Sequence, residues 1–268
     1  MSQKKITGGK RRRGSFKNNK KNEPLISVIM VCLNSQKYLA KSINSVLKQS
    51  YKSFELIIID GGSTDDTLKI LKKNNNKIDF WISEKDKSHF DAMNKGIKLS
   101  RGSIISILNS DDVYYINALK TVAKYFKKYQ KIDFLFGGVI KHKLLHGYKP
   151  NIIYRSFGFY SAHSIGFFIR KKSQMKVGLY KLKYRYSSDY DLFYRLIVKH
   201  KMKGMATKKN EIFGKFRRGG ISSKLSNNDF LREIYKVRVG NGQNKIFVLF
   251  LLFLKYSKYN LKKLLRLI

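Results

Sequence analysis

The stretch Ile104-Ile105-Ser106-Ile107-Leu108-Asn109-Ser110-Asp111-Asp112 decides the fold. A run that is apolar apart from Ser106 ends abruptly in two adjacent carboxylates. Such a run reads as a strand buried on both faces of a sheet, delivering its acidic end to the sheet edge where ligands bind in open α/β proteins. Paired carboxylates at that edge suit a hard divalent cation and, through it, a phosphate. The chain has 268 residues, 57 Lys+Arg against 17 Asp+Glu, and a formal net charge of +40, so acids clustered this tightly need an explanation.

Working outward from this stretch, short β-rich runs alternate with helical patterns. Strands are expected at 26–33, 55–59 and 78–83, and helices at 36–49, 64–73 and 91–99. That alternation predicts βαβ units and a mainly parallel sheet flanked by helices, an α/β fold. Beyond Tyr115 the rhythm loosens, with helices expected at 117–129 and 189–200 and strands at 134–140, 164–169 and 212–216. There is no internal repeat and no Pro- or Ser-rich linker. The expected organisation is one catalytic unit over 24–225 with a tail on either side.

The tails differ. Residues 1–23 are basic and polar, with Lys10-Arg11-Arg12-Arg13 but no apolar core segment, so they do not read as a secretory signal and are expected to form a disordered arm. Residues 226–268 are expected to be helical and contain nine consecutive apolar residues, 246–254, followed by Lys and Tyr interleaved with Leu. A spanning helix needs about 20 apolar residues. The block therefore suits either a helix lying on an anionic membrane surface or one packed on the domain or a second subunit. Cys32 is the sole cysteine, which excludes an internal disulfide and fits a reducing, cytoplasmic setting. The charge points to anionic partners: nucleotides, polyanionic glycans, acidic lipids or nucleic acid. Abundant Lys, Asn and Ile also fit an AT-rich genome.

Three further stretches, with the acidic end of the first, carry candidate chemistry. Asp60-Gly61-Gly62-Ser63-Thr64-Asp65 closes a strand and opens a helix; Asp60 can accept from a base or a ribose, or simply form the turn. Asp91-Ala92-Met93-Asn94-Lys95-Gly96 begins a helix; Asp91 suits a cap, Asn94 a sugar hydroxyl, Lys95 a phosphate. Asn109-Ser110-Asp111-Asp112 is a metal site or another capped turn. Ser188-Asp189-Tyr190-Asp191-Leu192 opens a helix, and Asp189 there is a candidate general base, N-capping being the plainer role.

In this order, after a strand ending at Leu33-Asn34, these pieces resemble the family 2 glycosyltransferases of the GT-A (nucleotide-diphospho-sugar transferase) fold, most closely the bacterial branch that builds surface polysaccharides. The resemblance runs from about 26 to 222. It implies an inverting hexosyl- or N-acetylhexosaminyl-transferase using a nucleotide-diphosphate sugar, a Mn²⁺ or Mg²⁺ ion, and a glycan, glycolipid or protein-linked acceptor. It implies that Leu33, Asn34 and Asp60 hold the nucleoside, that Asn109-Ser110-Asp111 corresponds to the metal-binding triplet with Asp111 the ligand and Asp112 in support, and that Asp189 is the base. Asp191 matches an acidic position beyond it, and His163 a histidine of the acceptor region. Arg217 and Arg218 match a loop whose arginines could clamp the diphosphate.

Several positions depart from the pattern. Asn109 replaces an aspartate, Ser188 stands where an acid is common, and Ser88-His89 replaces a glycine and an aliphatic residue. No Gln-x-x-Arg-Trp motif follows and Trp81 is the only tryptophan, which argues against a processive polymerase. The competing expectations are a catalytically silent nucleotide-sugar-binding protein on the same fold, motivated by Asn109 and Ser188, and a nucleic-acid-binding protein, motivated by the charge but lacking any dedicated motif.

Overall fold

The structure, a computed structural model, describes residues 5–156, 159–217 and 226–264. In chain order the strands and helices are β1 (Ile6–Gly8), β2 (Ile26–Cys32), α1 (Leu39–Leu47), β3 (Phe54–Asp60), α2 (Thr67–Lys73), β4 (Phe80–Ser83), α3 (His89–Leu99), β5 (Ile104–Asn109), β6 (Val113–Tyr114), α4 (Ala118–Lys128), β7 (Phe134–Phe136), β8 (Gly138–Ile140), β9 (Leu144–Leu145), β10 (Phe167–Arg170), α5 (Lys171–Val177), α6 (Ser188–Tyr194), β11 (Gly204–Ala206), β12 (Ile212–Lys215), α7 (Asn227–Gly240) and α8 (Lys245–Leu264).

Among the described residues, eight strands form one sheet in the order β1-β4-β3-β2-β5-β10-β7-β11, and β6-β12-β8-β9 form a second. β4, β3, β2 and β5 run parallel, as the alternating pattern predicts, while β10 lies antiparallel between β5 and β7. The central strands are buried on both faces. Val28 and Met30 of β2 pack with α1 and α4, and Ile29 and Val31 pack with α3, α6 and α7. This explains why they read as unbroken apolar runs.

The single strand expected at 134–140 is two strands in two sheets. They separate at Gly137, whose N–H donates to the Gly166 carbonyl at 2.8 Å. A Cβ there would lie 2.2 Å from the Phe213 ring, so only glycine lets the chain cross between the sheets at this point.

The basic arm expected to be disordered is instead folded over residues 6–23. β1 pairs antiparallel with β4, and Arg11 reaches the carboxylate of Glu55. The cause is Glu55 itself, fully buried on β3, since a buried carboxylate needs donors. Arg11, Ser27 and the backbone N–H groups of Arg101 and Gly102 supply them. Lys17 likewise pairs with Asp79 at 3.0 Å.

The expected boundary near 225 also differs, because α7 packs into the domain. Ile234, Val237 and Arg238 are fully buried. The Arg238 guanidinium donates to the carbonyls of Ile153 and Ser156, each at 2.6 Å.

Candidate active site

β2, β3 and β5 are neighbours in register, with Cys32 opposite Asp60 and Val31 opposite Asn109. Their carboxyl ends therefore open on one edge, at the crevice where such sheets bind ligands. Leu33 projects from this edge, 60% exposed. Asn34 has φ 48°, a left-handed conformation that asparagine tolerates. Its N–H donates to Ser63 Oγ at 2.8 Å and its Oδ1 accepts from the Thr64 N–H at 2.9 Å. Asn34 thus staples the β2–α1 turn to the β3–α2 turn.

Asp60, expected to face the nucleoside, is fully buried. Its oxygens accept from the Ser63 N–H at 3.1 Å, Ser83 Oγ at 2.6 Å and Ser63 Oγ. With these protein donors around it, Asp60 shapes the edge from below. The carboxylate nearer the surface of that edge is Asp86, which the sequence reading did not single out. Its side chain is only 6% exposed and lies 2.6 Å from Lys95 Nζ. Its Oδ2 has no hydrogen-bond donor among the described residues. A Cβ on Gly61 would fall 3.4 Å from Asp86 Oδ2 and 3.5 Å from Leu33 Cδ1, so Asp86 and Leu33 flank the same glycine. Burial raises the Asp86 carboxyl above the usual range, against the opposing pull of Lys95.

The 91–96 stretch is tied up more than expected. Lys95, read as free for a phosphate, lies among Glu84 (2.9 Å), Asp86 (2.6 Å) and Asp91 (3.9 Å). Asn94, read as a sugar contact, is buried and bonds both the N–H and the carbonyl of Tyr180 at 2.9 Å. Asp91 accepts from the Lys87 N–H at 3.0 Å, and its own N–H is capped by Ser88. Packing explains these roles. α3 lies under β2 and β3, and its polar residues hold the loops at both of its flanks.

The two carboxylates of the opening motif separate sharply. Asp111 keeps 24% of its side chain exposed, and its Oδ2 accepts from Arg217 Nε at 3.2 Å. Asp112 is 1% exposed. Its Oδ2 accepts from Ser164 Oγ at 2.7 Å and its Oδ1 from the Arg217 N–H at 3.0 Å. Burial pushes its pKa up to about 7, although both hydrogen bonds oppose the rise. Asp112, expected as a supporting or direct ligand, is therefore a buried strut that fixes the start of the 217 loop. Ser110 bonds Ser35 at 2.8 Å, joining this turn to β2–α1. The Asn109 N–H donates to Ser164 Oγ.

Arg217 stacks its guanidinium 3.8 Å over the Tyr38 ring and bonds the Tyr38 hydroxyl, placing a cation beside Asp111. Arg218 and the rest of its loop to Ser222 lie outside the described residues. No group of three or more His, Cys, Asp or Glu able to hold a metal occurs among the described residues. One open carboxylate is still a fitting donor set for Mg²⁺ or Mn²⁺, which bind through one or two carboxylates plus substrate phosphates and waters.

At the other end, Asp189 lies in the first turn of α6, half-buried. Burial pushes its pKa up to about 6, opposed by the Tyr190 N–H, which donates to its Oδ1 at 2.7 Å, and by His89. His89, Tyr160 and Tyr180 all feel this carboxylate. Burial lowers His89 and His163 to about 4, so both imidazoles are neutral near pH 7. His163 Nε2 bonds the Tyr180 hydroxyl at 2.7 Å and stacks against Phe167, on the wall next to Asp189.

α6 is held from below by Glu233 of α7, which accepts from the N–H groups of Arg185, Tyr186 and Ser187. These three N–H groups belong to the turn that leads into α6, so Glu233 fixes the chain just ahead of Asp189. The sequence signal was hidden because Glu233 is 46 to 48 residues away from the backbone groups that it holds. Asp191, assigned by resemblance to the acceptor region, is fully buried. It pairs with Arg195 at 2.7 Å and Lys181 at 3.3 Å, and accepts from Asn241 at 2.8 Å. It is structural.

The described site thus has one open carboxylate, Asp111, at the edge of a parallel sheet, and a half-buried one of raised pKa, Asp189, in the first turn of α6. The sequence pattern of Glycosyl transferase family 2 matches residues 27–201, and the chain belongs to that family and is a glycosyltransferase. It is 28% identical over 233 residues to a PGL/p-HBAD biosynthesis glycosyltransferase of Mycobacterium bovis, covering 79% of this chain and 84% of that protein. It is 34% identical over 114 residues to the Escherichia coli UDP-Glc:alpha-D-GlcNAc-diphosphoundecaprenol beta-1,3-glucosyltransferase WfgD, covering 42% of this chain and 45% of that one. Among solved structures, S. aureus TarS 1-349 in complex with UDP-GlcNAc superposes with a TM-score of 0.65 at 18% identity, over 85% of this chain and 70% of that one. The mannosyltransferase PcManGT from Pyrobaculum calidifontis, in complex with GDP-Man and Mn²⁺, gives 0.63 at 11% identity, over 82% and 64%. These two structures share the fold.

Proposed function

We propose that the protein is an inverting, non-processive glycosyltransferase that moves a sugar from a nucleotide-diphosphate donor to a hydroxyl of a glycan, glycolipid or protein-linked acceptor, working on the cytoplasmic side at a membrane surface. One observation carries the reading: two carboxylates with opposed environments, Asp111 open beside a cation and Asp189 shielded with its pKa near 6. The Asp189 carboxylate takes the acceptor proton as the hydroxyl oxygen bonds to the anomeric carbon. The bond from that carbon to the diphosphate oxygen breaks on the opposite face, and the nucleoside diphosphate leaves with the electron pair. A pKa near 6 leaves Asp189 ionised at neutral pH yet basic enough to accept a proton.

Asp111 would hold the Mn²⁺ or Mg²⁺, whose chemistry is to offset charge on the leaving diphosphate. Arg217, already beside Asp111, is placed to share that task. Leu33 and the Asp86 side of Gly61 form the nucleoside end. The relatives' names support the class: WfgD is named for a UDP-glucose donor and a diphosphoundecaprenol acceptor. Trp81 supports non-processivity, because the sole tryptophan is buried in β4 with its indole N–H on Asn75, remote from the acceptor wall.

A panel of nucleotide sugars assayed for metal-stimulated hydrolysis and transfer tests this reading. Asp111→Ala is expected to lower turnover on the order of 10²-fold or more, since it removes the electrostatic anchor of the leaving group, with little change in melting temperature at a site this exposed. Turnover unchanged by Asp111→Ala or by chelation would remove metal dependence from the mechanism. Under saturating donor, kcat/KM is expected to rise with pH through about 6 and then level off, because the base is active only when ionised and its folded pKa is raised to about 6. A profile flat down to pH 4 would exclude Asp189 as the base. One observation favours a silent nucleotide-sugar-binding protein, namely that Arg217 already neutralises Asp111. Donor binding without turnover across the whole panel would establish that alternative.

A further inference from the structure

α8 has two apolar faces. Val248 and Leu251 are buried towards α7, and Lys255 Nζ lies 4.5 Å over the Phe230 ring. On the other side Ile246 (77% exposed), Leu249, Phe250 (53%), Phe253 (66%), Leu254 and Leu261 face solvent. Their spacing of three and four residues makes a continuous stripe along one side of the helix. A stripe with two phenylalanines more than half exposed is a surface built to be covered. α8 contains five lysines and no acid. Between α7 and α8 a cleft of about 390 Å³ is walled by Leu231, Tyr235, Leu249 and Leu252, with Arg232 and Lys236 along it. Neither cation makes an ion pair among the described residues.

We infer that this face is a docking surface for an anionic lipid bilayer, with α8 lying in the plane of the interface and the α7–α8 cleft taking an acyl chain whose phosphate meets Arg232 and Lys236. Charge decides between the possible occupants. A second copy would bring a lysine-bearing helix of the same sign, from a chain of net charge +40, against this one. An anionic lipid surface offers the opposite sign together with an apolar interior for the phenylalanines. No helix among the described residues is long and apolar enough to cross a membrane, and in-plane seating needs none. The arrangement has a direct link to the site. α7, which carries one wall of the cleft, also supplies Glu233 to the N-terminus of α6, so the docked face lies one helix away from Asp189. The inference deepens the proposed function by placing the acceptor in the lipid plane, and it rests on that reading only for this consequence.

The test uses the full chain and sedimentation with phosphatidylcholine vesicles, with and without phosphatidylglycerol. A polycation binds anionic vesicles through any surface, so the deciding variant leaves charge untouched: Phe250→Ser with Phe253→Ser. The expected result is retention on the phosphatidylglycerol vesicles only, with the double variant reduced at least tenfold while its melting temperature is unchanged. Arg232→Gln with Lys236→Gln should weaken binding further and flatten its salt dependence. Equal vesicle binding by the Phe variant overturns the inference. So does a lipid-free dimer that the same variant dissociates, which would assign the face to a second copy. Asp189→Asn should bind vesicles like the parent chain, so that failure of docking and failure of the catalytic reading are told apart.

Discussion

Asp189→Asn is expected to lower sugar transfer about 10²–10⁴-fold, the range set by loss of a positioned base, while making the protein more stable at about pH 8. The two effects share one cause. Burial raises the folded pKa of Asp189 from 3.8 to about 6, so the shielded site disfavours the charge that catalysis requires. The sign follows from linkage. Below about pH 3.8 the carboxyl is protonated in both folded and unfolded chains and the substitution gains nothing. Between there and about pH 6 the unfolded chain ionises first, and the penalty on the folded state grows. Above about pH 6 it is constant.

A shift of roughly two pKa units corresponds to about 3 kcal/mol, and partial solvent access brings the usable figure to about 1–2 kcal/mol. Asparagine keeps an Oδ1 for the Tyr190 N–H, so no donor is orphaned. The measurements are transfer rate, nucleotide-sugar binding and melting temperature at about pH 8 and about pH 4. Binding should survive, turnover should fall by that factor, and the stability gain should be absent at the lower pH. An inactive variant with unchanged stability at both pH values would mean that Asp189 is not strained by burial. A variant of full activity would remove it from the base role.

How much of this could be read from the sequence divides along a physical line. β2, β3 and β5 were legible because strands buried on both faces must be continuously apolar, and Ile57-Ile58-Ile59 and Ile104–Leu108 have no other stable disposition. The positions of Asp111 and Asp189, at the turn after β5 and in the first turn of α6, were legible because each follows or opens such an element. The partners that engage Asp112, Asn94 and Lys95 were not legible, because they are set by tertiary packing: Ser164 and Arg217 for Asp112, Tyr180 for Asn94, and Glu84 with Asp86 for Lys95. A local pattern states which residue types are available, and long-range packing then decides which carboxylate is consumed by the fold and which is left for a ligand. The N-terminal arm makes the same point. Its charge reads as solvated until Glu55, buried on β3, draws Arg11 in. His89 was noted only as a departure from the family pattern, and its electrostatic contact with Asp189 gives that departure a physical meaning.

Asp191 lies two residues from Asp189 and is expected to behave in the opposite way. Asp191→Ala should destabilise the protein by about 3–5 kcal/mol, the usual consequence of removing one partner of a buried ion pair. Its carboxylate is fully buried and accepts from Arg195 Nε, Lys181 Nζ and Asn241 Nδ2, tying α6 to the following turn, to the 178–181 loop and to the end of α7. Without it the Arg195 guanidinium, itself buried, keeps only the carbonyls of Val177 and Leu179 and is left as an uncompensated charge. Asp191→Asn should cost less, because an amide oxygen can still accept from Arg195 Nε. Urea unfolding near pH 7 gives the ordering: parent, then Asn, then Ala. The same series separates a structural role from an acceptor contact. A residue that touched the acceptor would raise KM on substitution and leave the unfolding midpoint in place, whereas a strut should lose its midpoint first and its activity in proportion to the folded fraction. Two acids in one helical turn would then be divided by burial and partners alone, one bonded to three donors as a strut of the fold, the other left half-shielded with a single backbone donor and basic enough to take a proton.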